Sequence, residues 1–321
     1  MKCCIAVLSV WIGLTATCLT ATCLAGPVNP EVISGTALMA GHVDVDAALN
    51  SEMGETIFDE IHQKFPHFKA QLAGFSQIFG FNPLSDVHGL TFYSNHLKDK
   101  RGVLVADWNV DQKKLLTLLK INPSFQEHQY GDYQIAEWTD SKNDVTDETH
   151  YGCFFDASTA VMSDNLEDLK GAIDVLAGTT ESLQETKSLP TFWQASKDAI
   201  FSAAMQLPDA WESADRGARM LQNVVSVTAR LAESDSTVKM GIALKTSDPA
   251  DAGYLRDILT GLVAAGEMLK RHDDLQWMQE LVESQTVSGD SNLARLEVVV
   301  SNDRLIQLID RVKKQQDTKK D

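Results

Sequence analysis

Beyond residue 25 the chain contains one cysteine, Cys153; the other four, Cys3, Cys4, Cys18 and Cys23, lie in the leading stretch. A body with a single thiol has no internal disulfide, so packing alone must hold it together. Positive charge is also scarce: 28 Lys and Arg stand against 45 Asp and Glu, a formal net charge of −17. No basic stripe offsets that field, which excludes nucleic acid and anionic headgroups as partners of the body. The one lysine-rich patch, Lys313-Lys314 with Lys319-Lys320, suits a helix end and a solvated tail. The signatures H-E-x-x-H, G-x-S-x-G, G-x-x-x-x-G-K-[ST] and C-x-x-C do not occur, so no catalytic class and no cofactor is indicated.

Charge then organises the front of the chain. Lys2 is the sole charged residue before Glu31, and an uncharged, mostly apolar run separates them up to Gly26-Pro27. A positive start, an apolar centre and a small residue at a break describe a secretory signal peptide, with the cut expected after Ala25. An uncleaved span is the alternative, since about 20 apolar residues cross a bilayer. A lipobox fits poorly, because Thr17 and Thr22 precede Cys18 and Cys23. Cleaved or kept, the segment sends the body across the membrane, to the periplasm or the extracellular side.

Hydrophobic content of 44% and charged content of 23% describe an ordinary globular body. The pattern predicts an α+β fold in two similar lobes, residues 26–177 and 191–321, joined by a polar linker at 178–190. Each lobe is expected to be a mostly antiparallel sheet with helices on one face. In the first, alternation in HVDVD at 42–46 predicts a strand. Helical spacing follows over 47–80, then strands in VHGLTFYS and GVLVADW, a helix in DQKKLLTLLK, a hairpin turning at Gly131-Asp132, an acidic loop at 140–149, and a further hairpin before the helix DNLEDLKGAIDVLAG. In the second, AIFSAAMQL reads as a strand and 216–233 as a long helix. TVKMGIALKT reads as a strand, PADAGYLRDILTGLVAAGEMLKR and DLQWMQELVES as helices, and LARLEVVVS as a strand entering a last helix. HVDVDAAL parallels MQLPDAWE, and STAVMSDNLEDLKGAIDVL parallels RLEVVVSNDRLIQLIDRV, which suggests an internal duplication.

The best chemical candidate is His42-x-Asp44-x-Asp46. On a strand these share one face at about 6.6–7 Å intervals. With His88, which follows Asp86 in the same D-x-H alternation, they are the candidate ligands of a divalent ion or the groups of a hydrolase. The plainer reading is a sheet face meeting water. Cys153 lies in an apolar strand context and reads as a small core residue. Trp108, Trp138, Trp193, Trp211 and Trp277 suit either a carbohydrate platform or packing at element ends.

GFNPLSDVHGLTFY at 80–93 reads as a helix-to-strand corner, with Gly80 ending a helix, Asn82-Pro83 turning the chain and Gly89 marking a bulge. Together with GHVDVDAAL, this stretch resembles a family of exported proteins of planctomycete-type bacteria that carry a similar HVD strand and a similar G-F-[DN]-P-x-x-D-x-x-G-[VL]-T segment. The resemblance covers roughly residues 36–108 and implies an exported, two-lobed body without implying an activity. The expectation is an exported binding or interaction module for a protein, a glycan or a lipid-like ligand. The alternatives are a hydrolase working through His42, Asp44, Asp46 and His88, and a membrane-anchored structural protein that keeps residues 4–25.

Overall fold

The computed structural model of the chain describes residues 28–65, 67–97, 101–142, 146–190, 199–207, 223–268, 285–305 and 307. The fold is α+β with antiparallel strand pairing, and the chain divides into two compact units, Met1–Lys197 and Asp198–Asp321.

The first unit places seven strands in the order β1-β2-β3-β7-β6-β5-β4. They are β1 (Met39–Asp44), β2 (Val87–Ser94), β3 (Val103–Trp108), β4 (Gln126–Tyr130), β5 (Tyr133–Lys142), β6 (Thr146–Phe154) and β7 (Thr159–Ser163). Between β1 and β2 run α1 (Val45–Leu49), α2 (Glu52–Lys64) and α3 (Phe68–Phe79); α4 (Gln112–Leu119) follows β3. After β7 come α5 (Leu166–Leu176) and α6 (Leu183–Thr186). The helix starts are set by side chains that satisfy first-turn N–H groups. Asp44, Ser51, Asp111 and Asn165 each accept such a bond at the head of α1, α2, α4 and α5. Helix α5 buries Leu169, Ala172 and Ile173 against β7, β6 and β3, the spacing of one apolar stripe.

Three expectations for this unit change. The strand read over 42–46 ends at Asp44, whose carboxylate turns to cap α1, so Asp46 lies on a helix and not on the strand face. The acidic loop read over 140–149 is largely strand, because β5 runs to Lys142 and β6 starts at Thr146. The polar stretch 178–190, read as a linker, belongs to this unit. Leu183 is fully buried, Leu189 is 2% exposed, and Ser182 bridges to Ser34. Two buried leucines among polar neighbours anchor the segment more firmly than its composition suggests.

The second unit orders its strands β8-β9-β10-β12-β11. They are β8 (Ala199–Gln206), β9 (Val224–Ser234), β10 (Thr237–Thr246), β11 (Gln285–Ser288) and β12 (Leu293–Ser301), with α7 (Pro249–Met268) packed on β12, β10 and β11. Leu207, Val224, Leu255 and Ala294 form its buried cluster. Asp235 and Ser236 both carry positive φ, 50° and 57°, the hand that a two-residue hairpin turn requires. The long helix read over 216–233 is corrected from Val224 on, where Val224–Ser234 is a strand whose Val, Thr and Ser content favours the pleated state; residues 216–222 lie outside the described residues. Strand β11 was not foreseen. The helix read at 274–284, most of the last helix, and Trp193, Trp211 and Trp277 lie outside the described residues.

Among the described residues no helix is long and apolar enough to cross a membrane. Leu169 is fully buried at the centre of α5. Leu169→Ala is expected to cost about 2–5 kcal/mol of unfolding free energy, measured by urea titration; a cost below about 1 kcal/mol would contradict the packing described.

Candidate functional site

The polar residues singled out from HVDVD meet at the β1–β2–β3 end of the first unit, but as a buried row. Strand register sets Asp44 opposite Gly89 and Gly89 opposite Asp107, while His42 faces Thr91. His42 is 8% exposed and Asp44 5%. The water-facing reading is therefore corrected: the polar positions point inward, and alternation alone does not say which of two faces is covered. Room for the His42 ring comes from Gly89, where a Cβ would stand 3.1 Å from Cε1.

Each candidate group has its own engagement. His42 Nδ1 hydrogen-bonds Thr91 Oγ1 at 2.9 Å, and its Nε2 is buried without a partner. Asp44 Oδ1 accepts from the Ala47 N–H at 2.8 Å. Asp46 Oδ2 receives His88 Nδ1 at 3.0 Å, both side chains being partly buried. The structure thus brings Asp46 and His88 into one pair and gives His42 and Asp44 separate partners. Among the described residues no group of three or more His, Cys, Asp or Glu is placed to hold a metal ion.

Burial also moves the protons. It lowers the His42 imidazole from 6.5 to about 4. It raises the Asp44 carboxyl from 3.8 to about 6, helped by the nearby charge of Asp46 and opposed by the Ala47 and Asp46 N–H groups. Asp107 is raised as well, first by burial, with His88 pulling the other way. Cys153 is buried and raised to about 11, which makes it an inert thiol.

A second feature, absent from the sequence reading, is a cavity of about 440 Å³ within the first unit. Four separated pieces of chain form it: the loop 34–36, the facing ends of β2 and β3, helix α5, and the segment 179–186. Hydrogen bonds stitch the first and last together. Gly35 N–H donates to Glu181 O at 2.9 Å, and Thr186 Oγ1 donates to Gly35 O at 2.9 Å. On the other side Arg101 grips Asp168 with two bonds, Nε to Oδ2 at 2.9 Å and Nη2 to Oδ1 at 2.7 Å, and also donates to Asn165 Oδ1 at 3.0 Å. That fork joins the β2–β3 connection to the first turn of α5.

Two of the residues that line the cavity each carry a buried polar atom without a partner, the Tyr93 hydroxyl and Asn95 Oδ1, both sealed from solvent. Tyr93 is 2% exposed, and burial, reinforced by the charge of Asp168, raises its phenol well above the ordinary value. It stays an O–H group at any physiological pH. Gly171, on α5, opens onto the cavity; a Cβ built there meets nothing within 4 Å.

The corner at 80–93 is structural, as read. Gly80 ends α3 at φ 78°, Asp86 Oδ2 accepts from Asn82 N–H at 2.7 Å, and Phe81 packs edge-on against Phe75 and Trp108.

No protein family matches the chain, and no curated protein matches it. Among solved structures it is similar to TP0453. Crystal form III aligns at a TM-score of 0.46 and 9% identity, over 88% of this chain and 98% of that one; form IV aligns at 0.45 and 8%, over 89% and 97%.

The buried row makes a pH prediction. Between about 4 and 6.5 the unfolded chain holds a proton on His42 that the folded chain refuses, so this group makes stability rise with pH. Between 3.8 and about 6 the folded chain holds a proton on Asp44 that the unfolded chain has released, so this group makes stability fall with pH. The two slopes oppose each other over nearly the same interval. Asp44→Asn, which keeps a capping oxygen, is expected to leave stability climbing from pH 4 to 6.5 more steeply than in the wild type, by up to about 1.4 kcal/mol per pH unit. Urea midpoints across that range read the difference; parallel wild-type and variant profiles would contradict it.

Proposed function

We propose that the protein is an exported, non-enzymatic binding protein and that the cavity of the first unit is its ligand site. The observation that carries the reading is the cavity itself: about 440 Å³, walled by four chain segments fastened to one another. Pockets of this size suit small molecules. Export rests on the leading stretch, with Lys2 before an uncharged apolar run and Gly26-Pro27. The hydrolase alternative has less support, because His42 and Asp44 are buried among their own partners and away from this cavity.

The two units also read as similar lobes. The order β1-β2-β3-β7-β6 runs in step with β8-β9-β10-β12-β11, with β4 and β5 as an added hairpin in the first. Helices α4 and α7 follow β3 and β10, the corresponding strands. The starts of HVDVDAAL and MQLPDAWE fall at the ends of corresponding strands β1 and β8, and STAVMS and LEVVVS fall on β7 and β12; residues 208–212 lie outside the described residues. Duplication of one α+β unit accounts for both patterns.

Gly171→Leu tests the ligand site. The new side chain projects into open space on a helix that disfavours glycine, so the fold is expected to keep or gain stability. The small-molecule fraction of a cell extract is expected to raise the melting temperature of the wild type and leave that of Gly171→Leu unmoved. An extract that shifts both proteins alike, or neither, would overturn the assignment.

A further inference from the structure

We infer that the cavity takes an uncharged, mostly apolar small molecule; this rests on the cavity being the ligand site. What the wall offers an occupant is what its internal bonds leave over. Asp168 is held by the two bonds from Arg101, and Glu167 is paired with Lys170 Nζ at 2.8 Å. Thr186 Oγ1 donates to Gly35 O, Thr179 Oγ1 donates to Asp174 O, and Ser94 Oγ lies against the carbonyls of His96 and Arg101. Ser34 Oγ and Thr36 Oγ1 bond each other at 3.0 Å. The Tyr93 hydroxyl and Asn95 Oδ1 are sealed from solvent, and so from an occupant. Thr180 and Glu181 are exposed and stand at the rim.

The surface left to an occupant is more apolar than polar. Val103, Ala172 and Val175 contribute to it, with the bare backbone of Gly102 and Gly171 between them. Burial of apolar surface is then the main favourable effect open to a ligand. A charge fares worse here, because it would lose its water without gaining a partner. No Lys or Arg lines the cavity to meet an anion. A cation would find the two carboxylates of α5 already paired, and only Glu181 beside them in the open rim. A polyol would meet hydroxyl groups whose protons are already donated, and would recover only part of its hydrogen bonds with water. The volume, about 440 Å³, admits a short alkyl chain or an aromatic ring.

Calorimetric titration of the full chain separates the possibilities. One alkyl chain with three heads, 1-octanol, octanoate and octylamine, reads the effect of charge; indole stands for a ring and mannitol for a polar occupant. The expected result is that 1-octanol or indole binds with a negative heat-capacity change, the mark of apolar burial. The charged chains and mannitol are expected to bind at least about tenfold more weakly than the better of those two. Gly171→Leu abolishes the binding without lowering the melting temperature of the free protein. If octanoate, octylamine or mannitol binds in a Gly171-sensitive way and falls short of that margin, or exceeds both uncharged apolar probes, the ligand class is wrong and the site stands. Binding of 1-octanol or indole without the heat-capacity change would overturn apolar burial as its cause. If no probe binds in a Gly171-sensitive way, the ligand class is overturned, and the extract measurement on Gly171→Leu decides separately whether the site survives.

Discussion

The fork between Arg101 and Asp168 is the contact on which the cavity depends. Its two bonds, 2.9 and 2.7 Å, tie the connection between β2 and β3 to the first turn of α5, and the third bond to Asn165 reaches the residue that caps that helix. Without the guanidinium, Asp168 would be a mostly buried carboxylate beside the buried ring of Tyr93. An unpaired charge in that setting costs several kcal/mol, and the helix start would move to find water. With the guanidinium, the charge is met by a planar partner of matching geometry. The wall then stays in place.

The rest of the first unit is built to make that arrangement tolerable. Strands β1, β2, β3 and β7 bury Ala40, Val87, Val105 and Val161, and α5 closes over β3, β7 and β6 with Leu169 and Ile173. The buried polar pair His42 and Asp44 lies elsewhere in the same sheet, on β1. Burial there disfavours the charged form of each group, whereas Asp168 is met by an ion pair. An imidazole that resists its proton and a carboxyl that keeps one offset each other's pH dependence. Two kinds of buried polarity therefore coexist in one sheet: one paired and rigid, lining a cavity, the other titrating and enclosed.

Much of this architecture was legible in the sequence. The alternation in VHGLTFYS and GVLVADW, the turn at Gly131-Asp132, and the helix in DNLEDLKGAIDVLAG all rest on local chemistry, and local chemistry is what a sequence carries. HVDVD was legible as a strand and misread as to which side is covered, since a period of two distinguishes faces without ranking them. Val224–Ser234 was misread as a helix because its apolar residues also fit a helical stripe, and cross-strand pairing with β8 and β10 decides between the two. The cavity was not legible at all. Tyr93, Arg101, Asp168, Gly171 and Glu181 are spread over 89 positions on four pieces of chain, with only Asp168 and Gly171 sharing an element; the fold brings them together. The one local hint, polar GTTESLQETKSLP with its two leucines, pointed to a linker by composition.

A double-mutant cycle on Arg101 and Asp168 tests the central claim most directly. Unfolding free energies of Arg101→Met, Asp168→Asn and the double variant give the coupling between the two side chains. The account expects at least about 1 kcal/mol of favourable coupling, above the usual range for an exposed pair. It also expects that Asp168→Asn in the Arg101→Met background recovers part of the lost stability. A coupling indistinguishable from zero would mean that the fork holds nothing in place, and the cavity would then have no fixed wall on which to build a binding site.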